Sequence, residues 1–153
     1  MENLIKKLSD NKITVSTCES CTGGLLAAEF VKASGASDVF MEGAVTYSND
    51  AKMRLGVKEE TLKEHGAVSE ETALQMANCI KERAGTTLGV STTGIAGPGG
   101  GTPEKPVGLV YVAIASDKKQ KVYKLQLSGD RTAVRAGTVK FIIEKLSEEI
   151  FKW

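Results

Sequence analysis

Apolar residues follow two different spacings along the chain, and the change from one to the other predicts where helices and strands lie. Segments with apolar positions three and four residues apart predict α-helices, and β-branched or alternating segments predict β-strands. Helices are predicted over residues 2–10, 25–32, 59–65 and 70–84, in a segment that carries Lys52, and from residues 128–130 onward. Strands are predicted over residues 13–17, 88–93, 107–115 and 121–127 and within residues 39–47.

Polar residues indicate where several of these helices begin. Ser69 precedes Glu70 and Glu71, which is typical of a helix start because serine caps free amides and acidic groups suit the positive end of the dipole. Ser48 or Asn49 is placed to cap the helix that carries Lys52. The core faces predicted for the two longest helices comprise Ala73, Met76, Ala77, Ile80 and Ala84, and Val134, Phe141, Ile142, Leu146 and Ile150.

The order of these elements predicts an α/β fold. Strands alternate with helices in the first part of the chain, and a hairpin around residues 116–119 follows. Alternation favours parallel strands with helices on both faces, whereas the hairpin adds antiparallel strands at one edge. We therefore expect a three-layer α/β/α sandwich with a mostly parallel mixed sheet and an antiparallel edge hairpin, built as a single domain over residues 1–153.

Composition and charge narrow the class of protein. The chain has 153 residues, 20 Lys and Arg against 19 Asp and Glu, and a net charge of +1. This near-neutral balance makes nucleic acid a poor partner, since nucleic-acid-binding domains carry a strong basic footprint. No stretch approaches the ~20 apolar residues of a membrane span, and residues 1–7 do not resemble a secretion signal. We expect a cytoplasmic protein with no membrane partner.

The cysteines do not form a recognisable metal or disulfide pattern. Cys18, Cys21 and Cys79 are an odd number, which in a reducing compartment favours free thiols. Cys18 and Cys21 have the C-x-x-C spacing, but a zinc site needs two further ligands and the chain has one histidine, His65. We expect no metal site, and we keep a cysteine-dependent hydrolase or redox protein as an alternative.

Three loops carry the candidate chemistry. They comprise residues 19–24, 47–52 and 93–101, and each follows a predicted strand. Ligands of open α/β sheets bind beyond the carboxyl ends of the strands, so the three loops are expected to meet in one pocket. Each loop taken alone is better explained as an ordinary strand-to-helix turn that uses glycine. The common phosphate-loop, dinucleotide-fold and G-x-S-x-G motifs are absent.

A serine and a lysine remain as the candidate catalytic pair. Ser20 lies in a turn just before a helix, where backbone amides can receive an oxyanion. Lys52 lies near the start of its own helix, where the dipole, burial and nearby cations would lower its pKa enough for it to act as a base. The alternatives are that Lys52 is a solvated surface lysine and that Tyr47 is an ordinary aromatic residue at a strand end.

Two arginines suggest an anion site. Arg131 and Arg135 are four residues apart at the start of the last helix, so their guanidinium groups share one helix face. Together with the helix amides they suit a phosphate or a carboxylate. The alternative is a surface pair bound to neighbouring acidic residues.

Several of these motifs resemble those of one family. The resemblance lies in residues 17–24 (TCESCTGG), 43–49 (GAVTYSN), Lys52, 65–69 (HGAVS), 93–100 (TGIAGPGG), 105–108 (KPVG) and 128–131 (SGDR). In this order they resemble the CinA C-terminal domain family, which is also the nicotinamide mononucleotide deamidase (PncC) family. Cys18 stands where the family usually has alanine, and we expect this small side chain to fill the same space.

The resemblance implies a function and a set of site residues. The implied reaction is hydrolysis of nicotinamide mononucleotide to nicotinate mononucleotide and ammonia in pyridine nucleotide recycling, with no cofactor. Ser20 would be the nucleophile and Lys52 its base, with Tyr47 assisting. The implied substrate-binding residues are Glu19, Thr22, Gly23, Gly24, Thr93, Gly94, Ala96, Gly97, Arg131 and Arg135. The implied partner is a small-molecule nucleotide.

Two further expectations accompany this resemblance. The protein is expected to be a homo-oligomer of two or more copies. Activities of the larger N-terminal domain of full-length CinA proteins are expected to be absent. A non-catalytic nucleotide-binding or interaction module of the same fold remains the alternative to an enzyme.

Overall fold

A computed structural model describes residues 1–149, so Ile150, predicted on the core face of the last helix, lies outside the described residues. The helices are α1 (Glu2–Asp10), α2 (Leu25–Val31), α3 (Asn49–Leu55), α4 (Glu59–His65), α5 (Glu70–Ala84) and α6 (Arg131–Glu149). The strands are β1 (Val15–Glu19), β2 (Phe40–Val45), β3 (Leu88–Gly94), β4 (Leu109–Ala115) and β5 (Gln120–Gln126). A short 3₁₀ turn, Ala36–Asp38, precedes β2 and was not predicted.

The five strands form one sheet in the order β2-β1-β3-β4-β5. The first three strands pair in parallel, with β1 between β2 and β3, and β4 pairs antiparallel with both β3 and β5. Four strands therefore share one direction, and β4 runs against them at the edge hairpin. The mixed sheet confirms the predicted α/β fold class, and its pairings are divided equally between the parallel and antiparallel kinds.

Helices cover both faces of the sheet. On one face, apolar side chains of α1, α2 and α6 pack on the strands in a single large core that includes Leu8, Phe30 and Ile142. On the other face α5 packs so closely on β3 that a Cβ atom added at Gly89 would lie 2.0 Å from the carbonyl oxygen of Ala77. This close packing requires glycine at position 89 and completes the three-layer arrangement.

The first strand differs most from its sequence prediction. It begins at Val15 instead of residue 13, because the chain leaves α1 through Lys12, whose φ is 55°, and the amide of Ile13 donates to the carbonyl of Leu8. It also extends to Glu19, which pairs with Val45 of β2 on one side. The glutamate next to the candidate nucleophile thus belongs to a buried strand end.

Among residues 1–149, no helix combines the length and the apolar character that crossing a bilayer requires.

Candidate active site

A pocket of about 280 Å³ lies beyond the carboxyl ends of β1, β2 and β3. The parallel pairing of these strands brings the loops that follow them to one edge of the sheet. All three predicted loops line the pocket, through Ser20 and Cys21, through Tyr47, Asn49 and Lys52, and through residues 93–97, 99 and 100. Ala67, Val68 and Arg131 complete its wall.

The amine of Lys52 lies beside the hydroxyl of Ser20 at the base of this pocket. Its Nζ atom is 3.0 Å from Ser20 Oγ and 2.7 Å from the carbonyl oxygen of Thr46. Lys52 is only 1% exposed although it belongs to a short surface helix. The Thr46 carbonyl accepts one N–H of the amine and thereby holds Nζ beside the Ser20 hydroxyl.

Burial is the main influence on the protonation of Lys52. Loss of hydration lowers the pKa of the Lys52 amine, while the nearby thiols of Cys18 and Cys21 act in the opposite direction. The sequence analysis predicted a lowered pKa and attributed part of it to the helix dipole and to neighbouring cations. The direction agrees, but the largest cause is the removal of the amine from water by the packing of α3 against the strand ends.

Glu19 is buried and bound to the protein itself. Its carboxylate accepts bonds from the amides of Gly24, Leu26 and Ala27, at 3.1, 3.0 and 2.8 Å, and from the hydroxyl of Thr22 at 2.6 Å. It therefore caps the start of α2, where an acidic group is favoured. Neither Glu19 nor Thr22, which the resemblance implied as substrate-binding residues, lines the pocket, and both side chains already bond within the protein.

The bonds of Glu19 also determine which backbone amides remain available to bind an oxyanion. Backbone amides near the start of α2 were predicted to receive the oxyanion, but Glu19 occupies those of Gly24, Leu26 and Ala27. The amide of Ser20 donates to the carbonyl of Thr92, 2.9 Å away. Among the described residues the amide of Cys21 donates to no carbonyl, and Cys21 lines the pocket. The Cys21 amide, next to Ser20 in the chain, is therefore a candidate oxyanion donor.

Tyr47 and Arg131 meet at the mouth of the pocket. The Tyr47 hydroxyl accepts a bond of 2.8 Å from Arg131, which also donates to the carbonyl of Gly97 at 2.8 Å. The Tyr47 side chain is 61% exposed. This triple contact joins the loop after β2, the glycine loop after β3 and the start of α6. It places a guanidinium group where it can meet an anionic part of a ligand.

Arg135 lies outside the pocket lining. Its guanidinium donates to the carbonyl of Thr22 at 2.9 Å and would lie 3.5 Å from a Cβ atom added at Gly23. Arg135 thus supports the turn after β1 from behind. Gly23 and Gly24 have φ values of 59° and 95°, so they shape this turn and do not line the pocket. Of the two predicted phosphate ligands, only Arg131 faces the cavity.

The glycine loop forms the wall opposite the turn after β1. Thr93 lines the pocket, and its hydroxyl donates to the carbonyl of Ala67 at 2.7 Å. Gly94 and Gly97 are required by close contacts, since an added Cβ atom would lie 2.6 Å from the carbonyl oxygen of Leu109 and 2.5 Å from Val107. The structure therefore brings Thr93, Gly94, Ala96 and Gly97 together with the Ser20–Lys52 pair, as the sequence predicted.

The sequence analysis did not assign Ala67 and Val68 to the pocket, and it placed Asn49 in the loop 47–52 without naming it as a site residue. Asn49 is the first residue of α3, and its neighbour Ser48 caps that helix through a 3.1 Å bond to the Ala51 amide. Ala67 and Val68 lie between α4 and α5, within the segment 65–69 that carried part of the family resemblance. Their place within this segment was the feature of the sequence that could have assigned Ala67 and Val68 to the pocket.

The thiols near the pocket are not prepared for nucleophilic chemistry. Burial raises the pKa of Cys18 and of Cys21 to about 11, so both remain protonated at neutral pH. The Cys18 thiol is 3.1 Å from the hydroxyl of Thr46. Within residues 1–149, no group of His, Cys, Asp and Glu side chains is arranged to hold a metal ion.

Together these features define an α/β protein with a buried serine–lysine pair at the ends of parallel strands. The CinA C-terminal domain family matches residues 1–150. The chain is 58% identical over 144 residues to a competence-damage inducible protein of Clostridium acetobutylicum, covering 94% of this chain and 35% of that protein. It is 56% identical over 143 residues to a CinA-like protein of Kosmotoga olearia, covering 93% of this chain and 34% of that protein.

Solved structures agree with these sequence matches. The competence/damage inducible protein CihA of Agrobacterium tumefaciens has 43% identity and a TM-score of 0.89, with 95% of this chain and 92% of that chain covered. A CinA superfamily protein of Klebsiella pneumoniae has 33% identity and a TM-score of 0.95, with 99% and 96% covered. The chain therefore belongs to the CinA C-terminal domain family. It spans about a third of the length of the curated relatives it matches.

The bonds of Glu19 predict a structural role that a substitution can test. Glu19→Gln keeps the shape of the side chain but replaces one acceptor with an NH₂ group that faces amide donors. We expect this change to lower the free energy of unfolding by about 2–3 kcal/mol, measured by urea denaturation. The matched control is Glu29→Gln on α2, the helix that Glu19 caps, where the partner is the exposed Lys32 and the expected change is below about 0.5 kcal/mol. Equal effects of the two substitutions would contradict this role.

Proposed function

We propose that this protein is an amidohydrolase that converts nicotinamide mononucleotide to nicotinate mononucleotide and ammonia. The observation that supports this proposal most is the 3.0 Å contact between the Lys52 amine and the Ser20 hydroxyl, both removed from bulk water and both lining one pocket. A neutral amine beside a serine hydroxyl is a base beside a nucleophile. The family resemblance supplies the substrate.

The first half of the proposed reaction transfers the acyl group to the enzyme. Neutral Lys52 accepts the proton of Ser20 as Ser20 Oγ attacks the carboxamide carbon. The resulting oxyanion is placed to accept a bond from the Cys21 amide. Protonated Lys52 then gives its proton to the amide nitrogen, the carbon–nitrogen bond breaks, and ammonia leaves. The product of this step is an ester between the nicotinoyl group and Ser20.

The second half restores the enzyme with water. Lys52, neutral again, accepts a proton from a water molecule that attacks the ester carbon, and the bond to Ser20 Oγ breaks as the proton returns to that oxygen. The sum of both halves is one carboxamide and one water giving one carboxylic acid and one ammonia. The Thr46 carbonyl holds the amine in place throughout, because its bond of 2.7 Å uses an N–H that the reaction does not need.

The pocket wall supports a carboxamide as the reacting group. The Thr93 hydroxyl donates its proton to the Ala67 carbonyl, so its oxygen has only acceptor capacity left for a ligand. A carboxamide offers N–H donors to such an oxygen, and a carboxylate product does not. The pocket volume of about 280 Å³ lies just below the range of about 300–1,000 Å³ that is usual for ligand sites, which favours a small ligand.

Arg131 supports a phosphate at the other end of the same ligand. Its guanidinium lines the same pocket as Ser20 and Lys52 and is held at the mouth by its bonds to the Gly97 carbonyl and the Tyr47 hydroxyl. Guanidinium groups bind phosphate through paired donors. Tyr47, whose hydroxyl accepts from Arg131, fits a role in placing this group better than a role in proton transfer.

The first test of this proposal is release of ammonia from nicotinamide mononucleotide by the purified protein. Ser20→Ala should reduce the rate by at least about 10³-fold while the protein stays folded, because the nucleophile is lost from a turn that tolerates alanine. Cys21→Ser is the matched control and should keep most of the activity. Lys52→Arg should be as inactive as Ser20→Ala, because a guanidinium cannot become a neutral base. Substantial activity in Ser20→Ala would contradict the serine mechanism. An inactive wild-type protein would favour the non-catalytic binding module instead.

The assignment of the phosphate to Arg131 predicts a difference between two ligands. Arg131→Ala should weaken binding of nicotinate mononucleotide by about tenfold or more and binding of nicotinate riboside by less than about twofold, because only the nucleotide carries the anion. Isothermal titration calorimetry measures both affinities without turnover. Arg135→Ala is the control, since Arg135 does not line the pocket and should not discriminate between the two ligands. Equal losses for both ligands in Arg131→Ala would remove the phosphate assignment.

A further inference from the structure

Two segments of the chain carry family motifs but no role in the reaction described above. They are residues 65–69, between α4 and α5, and residues 105–108, just before β4. The structure joins them through one contact, because Nζ of Lys105 donates to the carbonyl oxygen of His65 at 2.7 Å. Lys105 itself does not line the pocket, so any influence it has on the site passes through the backbone that it holds.

The segment that Lys105 contacts is a wall of the pocket. Three consecutive carbonyls in it are each bound by a side chain. The carbonyl of His65 accepts from Lys105, that of Gly66 accepts from the hydroxyls of Ser69 and Thr72 at 2.9 and 2.7 Å, and that of Ala67 accepts from Thr93. Ala67 and Val68 face the cavity. Three of these four side chains, Lys105, Thr72 and Thr93, lie outside the segment, so the position of this wall depends on bonds made from outside it.

Lys105, the other partner in this contact, closely follows the glycine loop of residues 93–101. A turn closes before Lys105, since the amide of Thr102 donates to the Lys105 carbonyl at 2.8 Å and the Lys105 amide donates to the Thr102 hydroxyl at 3.0 Å. The loop then passes over Val107, where the close approach of Gly97 and Gly101 leaves no room for a side chain. The pocket-lining glycines 97, 99 and 100 thus lie in a segment held by two side chains, Arg131 and Lys105, which we call its anchors.

These anchors come from opposite sides. Arg131 of α6 binds the carbonyl of Gly97, and Lys105 binds the end of α4 through His65. At the base of the loop, the amides of Ile95 and Gly108 donate to the carbonyls of Leu109 and Ile95 at 2.9 and 2.7 Å. Residues 99–101, between the base of the loop and these two contacts, belong to no helix or strand. Loss of one anchor would leave this part of the loop held on one side only.

We propose that Lys105 is a positioning residue that sets the distance between the glycine loop and the 65–68 wall, and thereby the width of the substrate pocket. The expected change in KM rests on the proposed function, whereas the expected change in the hydrogen exchange of the loop does not. Lys105 acts on binding more than on bond breaking, because Ser20 and Lys52 are held by other contacts, to the Thr92 and Thr46 carbonyls.

The test compares Lys105→Met, which keeps the length of the side chain, with Lys105→Arg, which restores a cationic donor. For Lys105→Met we expect KM for nicotinamide mononucleotide to rise about tenfold with kcat changed less than about twofold, the factor that follows from losing one bond to a charged group. Hydrogen exchange of the amides of residues 96–101 should become about tenfold faster in the same variant without ligand. Lys105→Arg should lie within about threefold of the wild type in both measurements.

Lys124→Met is the matched control. Lys124 lines the same outer cleft as Lys105 and His65, so its substitution removes the same charge without removing the bond to the His65 carbonyl. It should leave both KM and exchange unchanged. The proposal is overturned if Lys105→Met changes neither quantity, if it lowers kcat with KM unchanged, or if Lys124→Met or Lys105→Arg behaves like Lys105→Met. If the wild-type protein releases no ammonia, the proposed function fails, and the exchange measurement still decides the role of Lys105.

Discussion

The site depends on keeping the amine of Lys52 out of water and next to the hydroxyl of Ser20. Because Lys52 is only 1% exposed, burial lowers the pKa of its amine and so makes the neutral form, which can accept a proton, easier to reach. The short helix α3 starts at the Ser48 cap and directs Lys52 inward, where the Thr46 carbonyl receives it. A serine and a lysine far apart in sequence become a pair through these contacts.

The carboxylate of Glu19 provides the second constraint, because it fixes the turn that carries Ser20. It accepts from the amide of Gly24 and from two amides of α2, and the carbonyl of Glu19 also accepts from the amide of Thr46, just after β2, at 2.9 Å. The same residue therefore connects the turn with Ser20 to the strand end with Thr46. A loop could not hold the Ser20–Lys52 distance without such a connection, and this explains why an acidic residue is buried beside the candidate nucleophile.

Local pattern was sufficient to predict most of the fold. Helix α4 lies where the apolar spacing placed it, and the caps at Ser48 and Ser69 form the expected bonds. The meeting of three loops at one sheet edge followed from the parallel order of the strands. These features depend on neighbours in sequence or on general rules of sheet topology, both of which a single sequence contains.

Side-chain partners were less predictable, because they depend on distances between segments far apart in the chain. Arg131 and Arg135 look equivalent in sequence, yet one faces the cavity and the other binds the Thr22 carbonyl behind it. Glu19 looked like a ligand of the substrate and instead satisfies the amides of α2. The lowered pKa of Lys52 was expected from the helix dipole, burial and nearby cations together, and burial is its largest cause. In each case tertiary packing decided which of several chemically reasonable partners was used.

Titration of the Lys52 amine tests the central claim most directly. With isotopically labelled lysine, nitrogen NMR follows each side-chain amine separately as pH changes, and Lys52→Met identifies the signal. We predict that Lys52 titrates at a pKa below that of the other lysines, and that kcat/KM for ammonia release rises with pH through the same value, since the neutral amine is the active form. A Lys52 amine that titrates together with the exposed lysines, near about 10.4, would contradict the account.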